Sequence, residues 1–124
     1  MNNIPDRSIY TINELADIAH ETMVEHGFYR DIDRLIMSLR YGGEFELSDI
    51  AERDFVLGEI AKIASECGEA VQAVRQGEPL EEELADIIIR TMTLAVYLEL
   101  DIGRAVVNKM QYNQGREYLH GKLC

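Results

Sequence analysis

Apolar residues recur every three or four positions through most of the chain, which is the spacing of one face of an α-helix. The first helical segment begins with Thr11 and Glu14 in capping-box spacing and ends on Gly27. No segment has the alternation typical of a strand. The sequence therefore predicts an all-α fold, an antiparallel helical bundle. Four further helices are predicted, over residues 31–40, from Ser48 to 76, from Pro79 to 100, and over 104–113 with Asp101 as N-cap.

The clearest break in the pattern is the segment "QGEPL" at residues 76–80. Gly77 suits the left-handed position that ends a helix, and Pro79 suits the first turn of the next one. Glutamates follow at the positive N-terminal end of that next helix. A turn this short predicts that the helices on either side are antiparallel neighbours.

Each of these two helices carries an apolar stripe beside a second stripe with charged side chains. The later helix is apolar on its remaining face as well, which predicts a buried helix whose charged groups face a partner, a cavity or an ion. The apolar stripes comprise Ile60, Ile63, Ala64, Cys67, Ala70, Val71 and Val74, and Leu84, Ile87, Ile88, Thr91, Leu94, Ala95 and Leu98. The second stripes comprise Lys62, Glu66, Glu69 and Ala73, and Glu83, Asp86, Arg90 and Tyr97.

Two acidic pairs at i, i+3 spacing are the candidate chemistry of the chain. They are Glu66 with Glu69 before the turn, and Glu83 with Asp86 after it. Counted from the turn at about 1.5 Å per residue, Glu69 and Asp86 reach nearly the same height, so the four carboxylates converge. Such a patch repels itself unless a hard cation with oxygen ligands, such as Mg²⁺, neutralises it. Either pair alone fits a solvated helix face; both pairs across a tight hairpin favour a metal site.

Composition and charge narrow the classes of function. A chain of 124 residues is about the length of one domain, and a net charge of −11 argues against binding to a nucleic acid polymer. The longest apolar run is too short to span a bilayer, and no basic-then-apolar signal segment opens the chain. The two cysteines, Cys67 and Cys124, do not suggest a disulfide framework. Reduced thiols fit a cytoplasmic protein.

The acidic motifs resemble the signature of the MazG-like all-α nucleotide pyrophosphohydrolases, E-x-x-E on one helix and E-x-x-D on the next. Here they stand as "ECGE" (residues 66–69) and "ELAD" (residues 83–86). The segment "KMQYNQGREYLHGK" at residues 109–122 is similar to the K-x-x-Y-N-x-x-R…H-G-K ending of one MazG-like subgroup. That subgroup also carries an arginine at the position of Arg90. The resemblance extends from Glu59 to Lys122.

The resemblance implies one MazG-like domain over residues 1–124 that hydrolyses a nucleoside triphosphate to the monophosphate and pyrophosphate, in control of the nucleotide pool. It implies Mg²⁺, with Mn²⁺ as a substitute, and a site completed in a homodimer or a dimer of dimers. The implied metal ligands are Glu66, Glu69, Glu83 and Asp86, of which Glu66 and Glu69 are also the catalytic candidates. The implied substrate-binding residues are Lys62, Arg90, Lys109, Asn113, Arg116 and Lys122.

The chain departs from the subgroup at several positions, which leaves the choice of substrate open. Thr93 stands where an aspartate is frequent, Glu117 replaces a proline, and Leu119 replaces a basic residue. The segment over residues 31–54 is longer than expected and has no role that the resemblance assigns. Phe28 and Tyr29 fit stacking on a base as well as packing in the core.

Two other functions remain open from the sequence. One is a related all-α activity, phosphoribosyl-ATP pyrophosphatase, against which the residue 109–122 motif argues. The other is a catalytically silent helical homodimer that acts as a binding or regulatory module. The loss of a carboxylate would have favoured the silent module, but all four are present.

Overall fold

A computed structural model describes residues 10–116 of the chain. No strand occurs within this range, so the predicted all-α fold is confirmed. Within the same range no helix combines the length and apolarity needed to cross a membrane. That residues 1–124 form a single domain stays a prediction. The helices are α1 (Ile12–Glu25), α2 (Arg30–Tyr41), α3 (Phe45–Gln76), α4 (Glu81–Tyr97) and α5 (Ile102–Gln114).

The ends of α1 and α5 are fixed by the caps that the sequence predicts. At the start of α1, the Thr11 hydroxyl accepts a hydrogen bond from the Glu14 N–H and the Glu14 carboxylate accepts one from the Thr11 N–H, both at 3.1 Å. At the start of α5, the Asp101 carboxylate accepts from the Arg104 N–H at 2.9 Å. Each cap pairs backbone donors that a helix leaves unsatisfied in its first turn.

The predicted start of α3 is wrong, because Ser48 is a buried residue inside the helix rather than its N-cap. The Ser48 hydroxyl accepts a hydrogen bond from Arg40 Nε at 2.8 Å, and this contact ties α2 to the first turns of α3. The other end of the next helix also differs from the prediction. Helix α4 ends at Tyr97 because Glu99 adopts a left-handed conformation with φ of 57°, which stops the helix before Leu100.

Helix α3 ends as predicted at a left-handed Gly77, with φ of 68°. The N–H groups of Gly77 and Glu78 donate to the carbonyls of Val74 and Ala73 at 3.2 and 2.9 Å, a Schellman-type termination. This termination reverses the chain within a few residues, so α4 packs back on α3. Helix α1 packs on α4, and α2 packs on α3.

Much of the apolar stripe of α3 and α4 is exposed in the single chain, although Ala95, one of its members, is buried. Val74 is 63% exposed and Ile88 is 56% exposed, and α4 is therefore not the buried helix that the sequence predicts. Ile88 lines an open groove with Ile12 of α1 and Ile102 of α5, which approach this side without covering it. Among the residues that the structure describes, the buried apolar ones are Ala16, Tyr29, Ile36, Ala73, Met92 and Ala95.

Tyr29, which is 5% exposed, lies at the centre of an aromatic cluster. Its ring stacks on Tyr97 with the centroids 5.2 Å apart, and the rings of His20 and Phe55 lie 4.9 and 6.0 Å away. Burial raises the pKa of the Tyr29 hydroxyl, which hydrogen-bonds to Thr93. Of its two possible roles, the structure shows core packing for Tyr29. Through this cluster the turn after α1 contacts both α3 and α4.

Candidate metal and nucleotide site

Three of the four predicted carboxylates meet between α3 and α4. Glu66 of α3 and the pair Glu83 and Asp86 of α4 each offer an oxygen, and these oxygens lie within 4.8 Å of one another. Glu66 and Glu83 are half-buried, while Asp86 is exposed. The i, i+3 spacing puts both carboxylates of α4 on one face, and the tight turn at Gly77 sets that face against α3.

The fourth carboxylate, Glu69, interacts mainly with Glu66. Its pKa is raised, first because its protonated carboxyl group would hydrogen-bond to Glu66, and then because the negative charges of Glu66, Glu83 and Asp86 oppose its ionisation. The pKa of Glu66 is lowered, first by a hydrogen bond from Arg90 and then by the one that a protonated Glu69 would donate. The two carboxyl groups of α3 therefore share one acidic site with the two of α4.

Arg90 holds one oxygen of Glu66. Arg90 Nε donates to Glu66 Oε1 at 2.7 Å, a charge-assisted hydrogen bond between α4 and α3. The Glu66 side chain is 12% exposed and that of Arg90 is 34% exposed. The second oxygen, Glu66 Oε2, is buried and accepts no hydrogen bond from any residue between 10 and 116. A buried carboxylate oxygen without a donor is costly, because it has lost its water without replacement.

The residues at this position fit a hard divalent cation. The orphaned Glu66 Oε2 lacks a positive partner, and Glu83 and Asp86 place further carboxylate oxygens close by. Carboxylate oxygens with room left for water or phosphate are the ligand set that Mg²⁺ takes in proteins. The acidic cluster is therefore a candidate metal site, with Glu69 at its edge.

An open pocket of about 260 Å³ adjoins the carboxylates. Its polar side is formed by α3 and α4, and its apolar side includes Met23 of α1. Thr93, at the position where the subgroup often has an aspartate, is buried here, and its hydroxyl donates to the Arg90 carbonyl at 3.1 Å. The lining residues are Met23, Glu66, Asp86, Ile89, Arg90 and Thr93.

Lys62 does not point its charge at the acidic cluster in this conformation. Its ammonium group pairs with Glu59 at 3.0 Å and lies 4.7 Å from the centroid of the Phe28 ring. Sequence reasoning missed Glu59, a buried acid whose i, i+3 spacing from Lys62 was the available signal. Phe28, half-buried, is thus a partner of Lys62 rather than part of the pocket wall.

The predicted phosphate ligands of α5 lie away from the pocket, which has no lining residue from that helix. Lys109 and Asn113 are exposed. Lys109 Nζ and the Arg116 guanidinium lie 4.7 and 5.6 Å from the centroid of the Tyr112 ring. The single chain therefore does not join these side chains to the carboxylates. Lys122, Glu117, Leu119 and Cys124 lie outside the residues that the structure describes.

Comparison with known proteins agrees with the resemblance seen in the sequence. Residues 58–116 match the MazG nucleotide pyrophosphohydrolase domain, and this range includes the four carboxylates and the whole of α5. The chain is similar to a dATP/dGTP diphosphohydrolase of Cyanophage S-2L, with 36% identity over 61 residues. The match covers 49% of this chain and 56% of that relative, so the chain spans about half the length of the curated protein it matches. No solved structure matches the chain significantly.

Proposed function

We propose that this chain, whose residues 58–116 match the MazG nucleotide pyrophosphohydrolase domain, hydrolyses a nucleoside triphosphate to the monophosphate and pyrophosphate. The observation that carries the proposal is the meeting of Glu66, Glu83 and Asp86, together with a buried Glu66 oxygen that has no hydrogen-bond partner among the described residues. Four carboxylates beside a pocket cannot bind a polyphosphate by themselves, because both are negatively charged. With a bound divalent cation they can.

Mg²⁺, or Mn²⁺ in its place, would neutralise the triphosphate and lower the pKa of the attacking water when bound. Glu66, Glu69, Glu83 and Asp86 would hold it. Glu66 or Glu69 would also take a proton from the water that attacks the α-phosphorus. The bond between that phosphorus and the bridging oxygen to the β-phosphorus breaks, and pyrophosphate leaves with the electron pair. The chain supplies positioning and charge, which is most of what phosphoryl chemistry requires.

We further propose that a second copy of the chain completes the site. The apolar stripe of α3 and α4 is exposed, and such contiguous patches are rare on monomers. Lys109 and Asn113 lie on α5 and Arg116 follows its end, and none of the three lines the pocket of its own chain. A homodimer or a dimer of dimers would cover the stripe. It would also let cationic side chains of one copy, including Lys122, reach the triphosphate held by another.

The substrate to test first is a purine deoxyribonucleoside triphosphate. The relative is named for dATP and dGTP, and the segment of this chain that matches the MazG domain, residues 58–116, contains the acidic motifs. An apolar groove of about 280 Å³ adjoins the acidic pocket and shares Met23 and Ile89 with it. The groove therefore gives an uncharged part of the substrate a place beside the phosphates. Activity on such a nucleotide would give the protein a role in nucleotide-pool control.

The test is a product analysis with purified protein. The common ribo- and deoxyribonucleoside triphosphates are incubated with Mg²⁺, and nucleotides and phosphates are separated by ion exchange. We expect equimolar monophosphate and pyrophosphate, and a Glu83→Gln variant should lose nearly all of this turnover because it removes a metal ligand. Diphosphate and orthophosphate as first products, or hydrolysis that persists in Glu83→Gln, would contradict the proposal.

A further inference from the structure

We infer that Arg90 is a positioning residue for the metal ligand Glu66, and not a phosphate ligand as the sequence predicts. The inference rests on the proposed function, since it assigns a role within the same acidic site. It starts from a contact that the sequence pattern does not contain. Arg90 Nε donates to Glu66 Oε1 at 2.7 Å, across the packed faces of α4 and α3.

The atoms that make this contact favour positioning. Arginine binds phosphate with its planar fork of donors, usually through two parallel hydrogen bonds. Here Nε, which is one of the donors of that fork, is already used by the carboxylate. The Glu66 side chain is 12% exposed and has little freedom to leave its partner. An arginine held in this way is poorly placed to follow a mobile triphosphate.

The contact also determines which oxygen of Glu66 remains available. Since Arg90 occupies Oε1, the carboxylate cannot rotate freely, and Oε2 stays buried without a donor. Glu83 and Asp86 supply oxygens within 4.8 Å of a Glu66 oxygen. Carboxylates that ligate metals are commonly held by a hydrogen bond to their other oxygen, and loss of such a partner costs about 10- to 100-fold in metal affinity.

Simple electrostatics predicts the opposite change in metal affinity when Arg90 is removed. The direction of that change therefore tests the inference. Removing the positive charge of Arg90 makes the site more negative, which by itself strengthens the binding of a cation. A phosphate ligand, by contrast, would leave metal binding without nucleotide unchanged or stronger. Only loss of the orientation of Glu66 makes metal binding weaker when a positive charge is removed.

The experiment measures Mg²⁺ and Mn²⁺ binding to the full chain without nucleotide, by calorimetry and by the metal-dependent rise in melting temperature. We expect Arg90→Gln to bind both metals at least about 10-fold more weakly than the unmodified chain. Arg90→Lys keeps the charge but has a methylene where arginine has Nε, so it should also bind more weakly. Arg75→Gln is the matched control for net charge and should not weaken metal binding. Arg75 is exposed and lies on α3, two to three turns beyond Glu66.

A double-mutant cycle with Glu66→Gln completes the test. If Arg90 acts through Glu66, the Arg90→Gln change should cost little further metal affinity once Glu66 is already neutral. Unchanged or tighter metal binding in Arg90→Gln, together with a raised KM for the nucleotide, would overturn the inference and leave the proposed function intact. Arg90-dependent metal binding in a chain that hydrolyses no nucleoside triphosphate would instead refute the proposed function alone.

Discussion

Glu66 has two differently placed oxygens, and the difference matters for the stability of the metal-free protein. Oε1 accepts a hydrogen bond from Arg90, whereas Oε2 is buried without a partner among the described residues, and the like charges of Glu83 and Asp86 lie close to the Glu66 carboxylate. The raised pKa of Glu69 has the same origin, because ionising a further carboxylate here is unfavourable. The site therefore carries a repulsion that a cation would relieve.

Asp86→Asn should separate this repulsion from metal binding. Without metal the variant loses one repelling charge, so its melting temperature should equal or exceed that of the unmodified chain. With Mg²⁺ the unmodified chain gains about 2.7 kcal/mol at a metal concentration 100 times the dissociation constant. The variant should lose most of that gain and nearly all turnover, because it lacks a ligand. Thermal melting of both proteins, each with Mg²⁺ and with a chelator, measures the four melting temperatures.

The control for this cycle is Asp54→Asn, an exposed acid of α3 that precedes the acidic cluster by three helical turns. Its metal-dependent gain should match that of the unmodified chain. If Asp86→Asn responds to Mg²⁺ as strongly as this control and hydrolyses nucleotide at an undiminished rate, Asp86 is a solvated surface residue and the site is wrong.

The sequence predicts the carboxylates but not their partners, for a physical reason. The i, i+3 spacing alone puts Glu83 and Asp86 on one face, whatever else the helix contacts. The pairing of Glu66 with Arg90 depends on how far α4 is rotated and shifted against α3, which one helix's periodicity does not contain. The same limit applies to Ser48, whose partner Arg40 lies on a different helix.

The turn between α3 and α4 depends on a left-handed residue. A Cβ at Gly77 would meet no atom within 4 Å, so Gly77→Ala should destabilise only through the backbone, by about 1–2 kcal/mol. The matched control is Gly58→Ala, inside α3, where a Cβ also meets nothing within 4 Å. There alanine should stabilise the helix by roughly 0.5–1 kcal/mol. Urea unfolding of both variants measures the two opposite changes in the free energy of unfolding. Equal changes in the two variants would exclude the left-handed turn.

The helices whose ends are set by local chemistry are those that the sequence predicts best. The Thr11–Glu14 box and the Asp101 cap need only residues within one turn, and both are present. The start of α4 is less local. Pro79 was expected in its first turn, but the helix begins at Glu81, after Leu80 as N-cap. No side-chain hydrogen bond caps this start, so local chemistry fixes it less firmly than the starts of α1 and α5.

The exposed stripe of α3 and α4 predicts an assembly. Ile88→Arg puts a charge in the middle of the proposed interface, so it should convert a dimer or tetramer into a smaller species. Light scattering at micromolar concentration measures the mass. Met37→Arg is the control, because Met37 of α2 is comparably exposed but lies outside the stripe, and it should leave the mass unchanged. A fully active monomeric chain without substitution would contradict the prediction.

The error about the core shows what hydrophobic periodicity records. The pattern of the stripe predicts a core, yet the single chain buries Ala95 of this stripe and leaves Val74 and Ile88 exposed. Periodicity marks the side of a helix that avoids water, but it does not say whether the cover comes from the same chain. Fold class could therefore be predicted, while the composition of the core could not.

The pocket also defines how much of the chain a fragment must contain to keep the complete site. The family match begins at residue 58, yet Met23 of α1 forms part of the wall beside Ile89 and Arg90. A fragment cut at that boundary would keep every carboxylate and lose the helix that packs on α4. The smallest portable unit for the chemistry is therefore larger than its most recognisable segment, and it includes a helix that lies more than thirty residues before that segment.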